Sequence, residues 1–211
     1  MTATTILAVR HGETVWNLQG RMQGYLDSDL DAGGVQQADL LGLRLAGETI
    51  DAVYSSDLGR TLATARGITR HTRHEIRQEP GLRERHLGKF QGLTGEEAAK
   101  HHPDDWRRFK SRDPHHDLGD GETLVVFSAR CVTAVERIAA AHPGGRVLVV
   151  SHGGVLDCLY RHALGISLDA PRNWTLLNAS LNTLTVSAGD WRLVHWGDVD
   201  HLGVRDAIDD I

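Results

Sequence analysis

The chain has 211 residues, 40% hydrophobic and 24% charged, which allows a packed core and excludes wholesale disorder. Its 23 Lys and Arg against 28 Asp and Glu leave a net charge of −5, which speaks against general nucleic-acid binding, since that affinity rests on a basic face. Cys131 and Cys158 are too few for a disulfide framework, and no apolar run is long enough to span a bilayer.

The first residues, 1–6, lack the basic and apolar regions of a secretory signal, so a cytoplasmic location is expected. Residues 6–9 are a short, unalternating apolar run that predicts a buried strand of a parallel sheet. Residues 32–46 repeat at helical spacing, with Val35, Ala38, Leu41 and Leu45 on one face and Asp31 as N-cap. A weaker strand follows at 52–55 and a helix at 58–69. The stretch 93–121 breaks this rhythm. It is polar, dense in His and Asp after residue 101, and predicts a solvated insertion with one short helix around Trp106 and Phe109. Its histidines lack the spacing of a metal site, because adjacent helical residues face different ways, and no metal is expected.

A helix at 122–141 carries Leu124, Phe127, Cys131, Val135 and Ile138 at three- and four-residue steps. A buried strand at 147–150 and a hairpin joining 182–187 to 191–195 complete the pattern. Strands alternating with helices argue an α/β fold with a mostly parallel central sheet flanked by helices. Ligands of such folds bind beyond the carboxyl ends of the strands. One domain, 1–211, is expected.

Those strand ends hold the residues with chemistry. The first strand runs into Arg10, His11 and Gly12, and the strand at 147–150 into Ser151, His152 and Gly153. Each His is followed by a glycine that lets a backbone approach a ligand closely. The strand at 52–55 leads through Ser56 to Arg60 on the first turn of a helix, near any anion held at that helix N-terminus. The loop 82–92 sets one carboxylate, Glu84, among Arg83, Arg85 and Lys89. It is either a surface ion-pair cluster or a functional acid.

The triplet Arg10-His11-Gly12, with Asn17, Arg21, Gln23, Gly24, Asp27 and Gln37 after it, resembles the opening motif of the histidine phosphatase superfamily. Ser55-Ser56 through Arg60, Glu84 with Gly88 and Gly92, and Ser151-His152-Gly153 complete the resemblance in order, over nearly the whole chain. That superfamily also holds the cofactor-dependent phosphoglycerate mutases. The resemblance implies a three-layer sandwich and catalytic roles for His11, Glu84, His152, Arg10 and Arg60. It implies phosphate or substrate contacts from Arg10, Asn17, Gln23, Gly24, Arg60 and His152. In that scheme His11 attacks phosphorus to form a phosphohistidine, while Arg10, Arg60 and His152 supply positive charge. Asn17 adds a neutral donor, and Glu84 protonates the departing alkoxide. No cofactor is implied. Asp29 stands where the family commonly has Pro, a departure at a structural position.

Gly153-Gly154-Val155 and the segment 21–24 resemble the phosphatase branch, and the chain is short for a mutase. The expected activity is therefore metal-independent hydrolysis of small phosphomonoesters. Glu84-Arg85-His86, and Arg107 with Arg108 after Trp106, resemble mutase features, the arginine pair holding a substrate carboxylate. A phosphoglycerate mutase is thus the first alternative and a non-catalytic phospho-ligand module the second. The expected partner is a small phosphorylated metabolite, not nucleic acid or a membrane, and a homodimer is left open. Specificity is expected from 93–121 and from the tail after about 196, with Trp106, Phe109 and Trp196 packing a core.

Overall fold

A six-stranded sheet, in the order β3-β2-β4-β1-β5-β6, runs through the computed structural model, which describes residues 2–203. The strands are β1 (Thr4–Arg10), β2 (Ala52–Ser55), β3 (Ile76–Gln78), β4 (Arg146–Ser151), β5 (Leu181–Ser187) and β6 (Asp190–Asp198). The first four are mutually parallel; β5 runs antiparallel to β1, and β6 to β5. The helices are α1 (Val15–Leu18), α2 (Ala32–Leu45), α3 (Gly59–Thr72), α4 (Gly95–His101), α5 (Pro103–Lys110), α6 (Leu124–Ala141) and α7 (Gly153–Leu164).

Side chains alternate across a strand, and here the alternation sorts two cores. Ile6, Ala8, Val147 and Val149 pack with Phe127, Val135 and Leu156 of α6 and α7. Leu7, Val9, Leu148 and Val150 pack with Leu41, Leu45 and Ile68 of α2 and α3. Both faces are covered, giving the expected three layers. All five apolar positions named for α6 are buried. On α2, Ala38, Leu41 and Leu45 are buried but Val35 is 48% exposed, because it lies one step off the stripe facing the sheet.

Helix starts follow cap chemistry. Asp31 accepts from Gly34 N at 2.6 Å to begin α2, and Thr123 accepts from Val126 N at 3.2 Å to begin α6. The N-cap residue of α3, Leu58, has no side-chain cap; the carboxylate of Asp27, from a distant loop, takes the amides of Gly59 and Arg60 instead.

The segment 93–121 corrects the expectation of a solvated loop with one helix. It forms two helices, α4 and α5, separated by His102, with Pro103 opening the second. Phe90, Ala98 and Leu118 are buried with Trp106 and Phe109 against them, a third, smaller core. One of its histidines joins this packing: buried His116 lies 3.1 Å from Asp105, whose other oxygen takes the Lys89 ammonium at 2.6 Å. Of the tail after 196, residues 204–211 lie outside the described residues. Among the described residues, no helix is long and apolar enough to cross a membrane.

Candidate active site

Parallel pairing of β1 with β4 sets Arg10 opposite Ser151, so the next residues, His11 and His152, emerge side by side at the carboxyl end of the sheet. Their ring centroids are 5.4 Å apart at 64°. His11 is 4% exposed, and its Nδ1 donates to the Gly12 carbonyl at 2.8 Å. A carbonyl only accepts, so the hydrogen sits on Nδ1 and Nε2 carries the lone pair. Burial, then the Arg60 and Arg10 charges, hold the His11 pKa well below the usual value.

His152 is fully buried, with Nε2 2.9 Å from the Ser56 hydroxyl at the end of β2. Its Nδ1 is buried without a hydrogen-bond partner. Burial, with Arg60, His11 and Arg10, lowers its pKa well below the usual value too. Burial and these neighbours thus oppose, ahead of any phosphate, the positive charge expected of His152. It packs edge-on against His11, which lines the cavity.

That cavity has a volume of about 550 Å³, and Arg10, His11, Asn17, Gln23, Gly24, Arg60 and Glu84 are among the residues lining it. Arg10 is 3% exposed and donates to the Leu176 carbonyl. Arg60, 2% exposed, is held by the loop before it: Nη2 donates to Gly24 O at 2.8 Å, and Nη1 to Leu26 O and to Asp27, both at 2.9 Å. The anion held at the N-terminus of α3, close to Arg60, is thus the Asp27 carboxylate. Asn17 accepts from Thr14 N at 3.0 Å through Oδ1, so its amide nitrogen is the donor end of the side chain. Gln23 Nε2 donates to Thr14 Oγ1 at 2.8 Å, so this side chain braces the loop.

Glu84 is no surface ion pair. Its carboxylate accepts from Gly154 N at 2.9 Å and from Arg85 N at 2.7 Å, and it faces the cavity. A Cβ on Gly154 would lie 2.2 Å from Glu84 Oε1, so only glycine admits the carboxylate to the first turn of α7. The neighbouring cations turn elsewhere. Arg83 grips Asp57 at 2.7 and 2.5 Å, and Arg85 donates to the Glu122 and His116 carbonyls, each at 2.7 Å. Burial brings Arg85 down to about 10.

Arg107 and Arg108 lie outside the cavity, 77% and 52% exposed, paired with Asp104 and Asp113. Trp196 packs on Tyr160 as expected. Trp106 and Phe109 both pack and line the cavity. Arg112 and Asp157, absent from the sequence reading, also line it: Arg112 Nη2 binds Asp157 at 2.6 Å, and Arg161 joins the same oxygen at 2.9 Å. The spacing of Asp157 and Arg161, four apart on a helix, was the one local signal for this cluster.

The family model of the histidine phosphatase superfamily (branch 1) matches residues 6–199. The chain belongs to that superfamily. Two curated relatives from Arabidopsis thaliana are each 42% identical to this histidine phosphatase superfamily member. The metal-independent phosphoserine phosphatase aligns over 202 residues, 94% of this chain and 83% of its own length. Phosphoglycerate mutase-like protein 4 aligns over 201 residues, 93% of this chain and 86% of its own. Among solved structures, YhfR of Bacillus stearothermophilus superposes with a TM-score of 0.89 at 35% identity, over 95% of this chain and all of YhfR.

Proposed function

We propose that this protein is a phosphatase that hydrolyses small phosphomonoesters through a phosphohistidine at His11, with no metal ion in the reaction. The bond from His11 Nδ1 to Gly12 O carries this reading, because it turns an unprotonated Nε2 toward an arginine-lined cavity. Nε2 attacks phosphorus as the ester oxygen departs, and Glu84 gives that oxygen its proton. Glu84 then takes a proton from water, whose oxygen attacks phosphorus and frees His11. Arg10 and Arg60 offset the charge on the equatorial phosphate oxygens. Burial, helped by the same two cations, disfavours a proton on the nucleophile, so the charges that bind phosphate also favour the attacking form. His152 Nδ1 is the ring atom for a phosphate oxygen. It donates when Ser56 gives its hydroxyl hydrogen to Nε2, or when a bound dianion draws a proton to the ring.

The 42% identity to a metal-independent phosphoserine phosphatase supports hydrolysis. A mutase is the second reading, favoured by the relative named phosphoglycerate mutase-like; the outward Arg107 and Arg108 weigh against it. A small phosphorylated metabolite as partner belongs to the same reading. So does a cytoplasmic location, which the buried free thiols of Cys131 and Cys158 fit. Quenching a ³²P-phosphomonoester reaction in alkali tests the mechanism: acid-labile label is expected on His11 and lost in His11→Ala. Label on His152, or turnover abolished by a chelator and restored by Mg²⁺ or Zn²⁺, overturns it.

A further inference from the structure

The buried charge of Arg60 is aimed by backbone. Its guanidinium donates to the carbonyls of Gly24 and Leu26 as well as to Asp27, so the place of the loop 24–26 decides where the charge sits. That loop is a poor anchor by itself: Gly24 stands at φ +56°, in the left-handed region, where glycine is the freest residue. It is held from outside.

The hold comes from the segment that follows Glu84. Gly92 N donates to Met22 O at 2.7 Å and Met22 N to Leu93 O at 2.9 Å, pairing the two backbones just before the turn. At Tyr25, between the two carbonyls that hold Arg60, the partner is a side chain: Gln91 Oε1 accepts from Tyr25 N at 2.7 Å. A backbone N–H only donates, so this bond sets the amide with its oxygen toward the loop. Gln91 is also packed there, since a Cβ on Gly24 would collide with its Oε1, Cγ and Cδ. The Tyr25 ring meets His86, of the same segment, edge-on with centres 4.9 Å apart.

We infer that Gln91 is a positioning residue for Arg60: its Oε1 pins Tyr25 N, so that Gly24 O and Leu26 O present the guanidinium to the phosphate. This rests on the phosphatase reading above. The loop that carries the acid thereby also sets a charge that binds phosphate, and Gln91 touches neither substrate nor reacting atoms.

The test compares Gln91→Leu, which removes the acceptor, and Gln91→Glu, which keeps an acceptor oxygen, with wild type in the full chain, each first shown to be folded by its thermal melt. With p-nitrophenyl phosphate, Gln91→Leu is expected to lose about 10-fold in kcat/KM and to weaken competitive inhibition by inorganic phosphate as much, as for a misplaced charge-assisted hydrogen bond. Gln91→Glu is expected to recover most of both. In an Arg60→Ala background, Gln91→Leu should change kcat/KM by less than about twofold, because the group it positions is gone. An alkyl phosphate should show the same loss as the nitrophenyl ester. Should Gln91→Leu not fold, Gln91→Asn, one methylene short of Tyr25 N, carries the same expectations. Wild-type values in the folded variant overturn the inference. So does a loss carried undiminished into Arg60→Ala, or one that grows with the basicity of the leaving group, the signature of a disturbed Glu84. Each of these leaves the phosphatase reading standing, whereas no turnover of either ester by wild type sinks that reading and this inference with it.

Discussion

His11 and His152 meet edge to face with their ring centres 5.4 Å apart, and both are buried beside Arg10 and Arg60. Neither ring takes a proton in the folded protein near its ordinary pKa of 6.5, whereas both do in the unfolded chain. Below pH 6.5 the unfolded state therefore binds more protons, and stability falls as pH falls until the depressed native pKa values are reached. Each histidine contributes up to about 1.4 kcal/mol per pH unit in that window. Urea unfolding at pH 7.5 and 5.5 is expected to show this loss, to which His201, whose pKa burial also lowers, adds, and His152→Asn is expected to reduce it. The Asp198 carboxyl, pulled down to about 2 by Arg44, titrates too low to interfere. Equal stability at both pH values would mean that one ring is charged in the native protein.

Glu84 is expected to matter in proportion to how poor the leaving group is. General acid catalysis contributes about 10²–10⁴-fold, so Glu84→Gln should lose that much with an alkyl phosphate and clearly less with p-nitrophenyl phosphate. Pre-steady-state bursts read the phosphoryl-transfer step directly. Equal losses for both esters would reject the acid role.

Gly154→Ala is expected to reproduce the Glu84 defect without touching Glu84. A methyl group 2.2 Å from Oε1 must displace the carboxylate from its hydrogen bond to the Gly154 amide. The helix itself gains from losing a glycine, by up to about 1 kcal/mol. The expected pattern is unchanged or raised thermal stability with the leaving-group dependence of Glu84→Gln. Full alkyl phosphatase activity in Gly154→Ala would show that Glu84 acts from another position.

Arg107→Ala and Arg108→Ala are expected to be nearly silent. Both side chains lie outside the cavity in exposed ion pairs, worth about 0–1 kcal/mol each. kcat/KM should stay within about twofold of wild type, as for surface substitutions generally. Conversion of 3-phosphoglycerate to 2-phosphoglycerate that disappears in these variants would restore the mutase reading.

What was legible in the sequence is what is local. Apolar runs at 6–9 and 147–150 and the helical stripe of α6 are decided by near neighbours, and strand ends followed by His-Gly announce themselves. The site's long-range ties were not legible. Nothing near Gly59 indicates that Asp27 caps α3, since the two are brought together only by the fold. The insertion read as solvated because helix α5 is mostly charged, and its few aromatics find partners in Phe90, outside the segment. Arg112 gave no signal because its Asp157 partner lies 45 residues away. The lowered pKa of His152 follows first from complete burial, which a lone histidine in a sequence does not reveal.

The pairing of Arg10 with Ser151 has a consequence for how such a protein can change. The reacting groups hang from two central strands, where a one-residue slip would turn every side chain to the wrong layer. An insertion or deletion in β1 or β4 thus destroys the core and the chemistry together. The segment 93–121 packs in a small core separate from the two that cover the sheet, shared with Met22, Leu87 and Phe90, and is tied to the rest by contacts such as Arg112 with Asp157. It can be exchanged like the jaw of a vice, with the anvil left in place. Grafting this segment onto a relative should transfer the preference for a leaving group while the phosphoryl chemistry stays with the recipient.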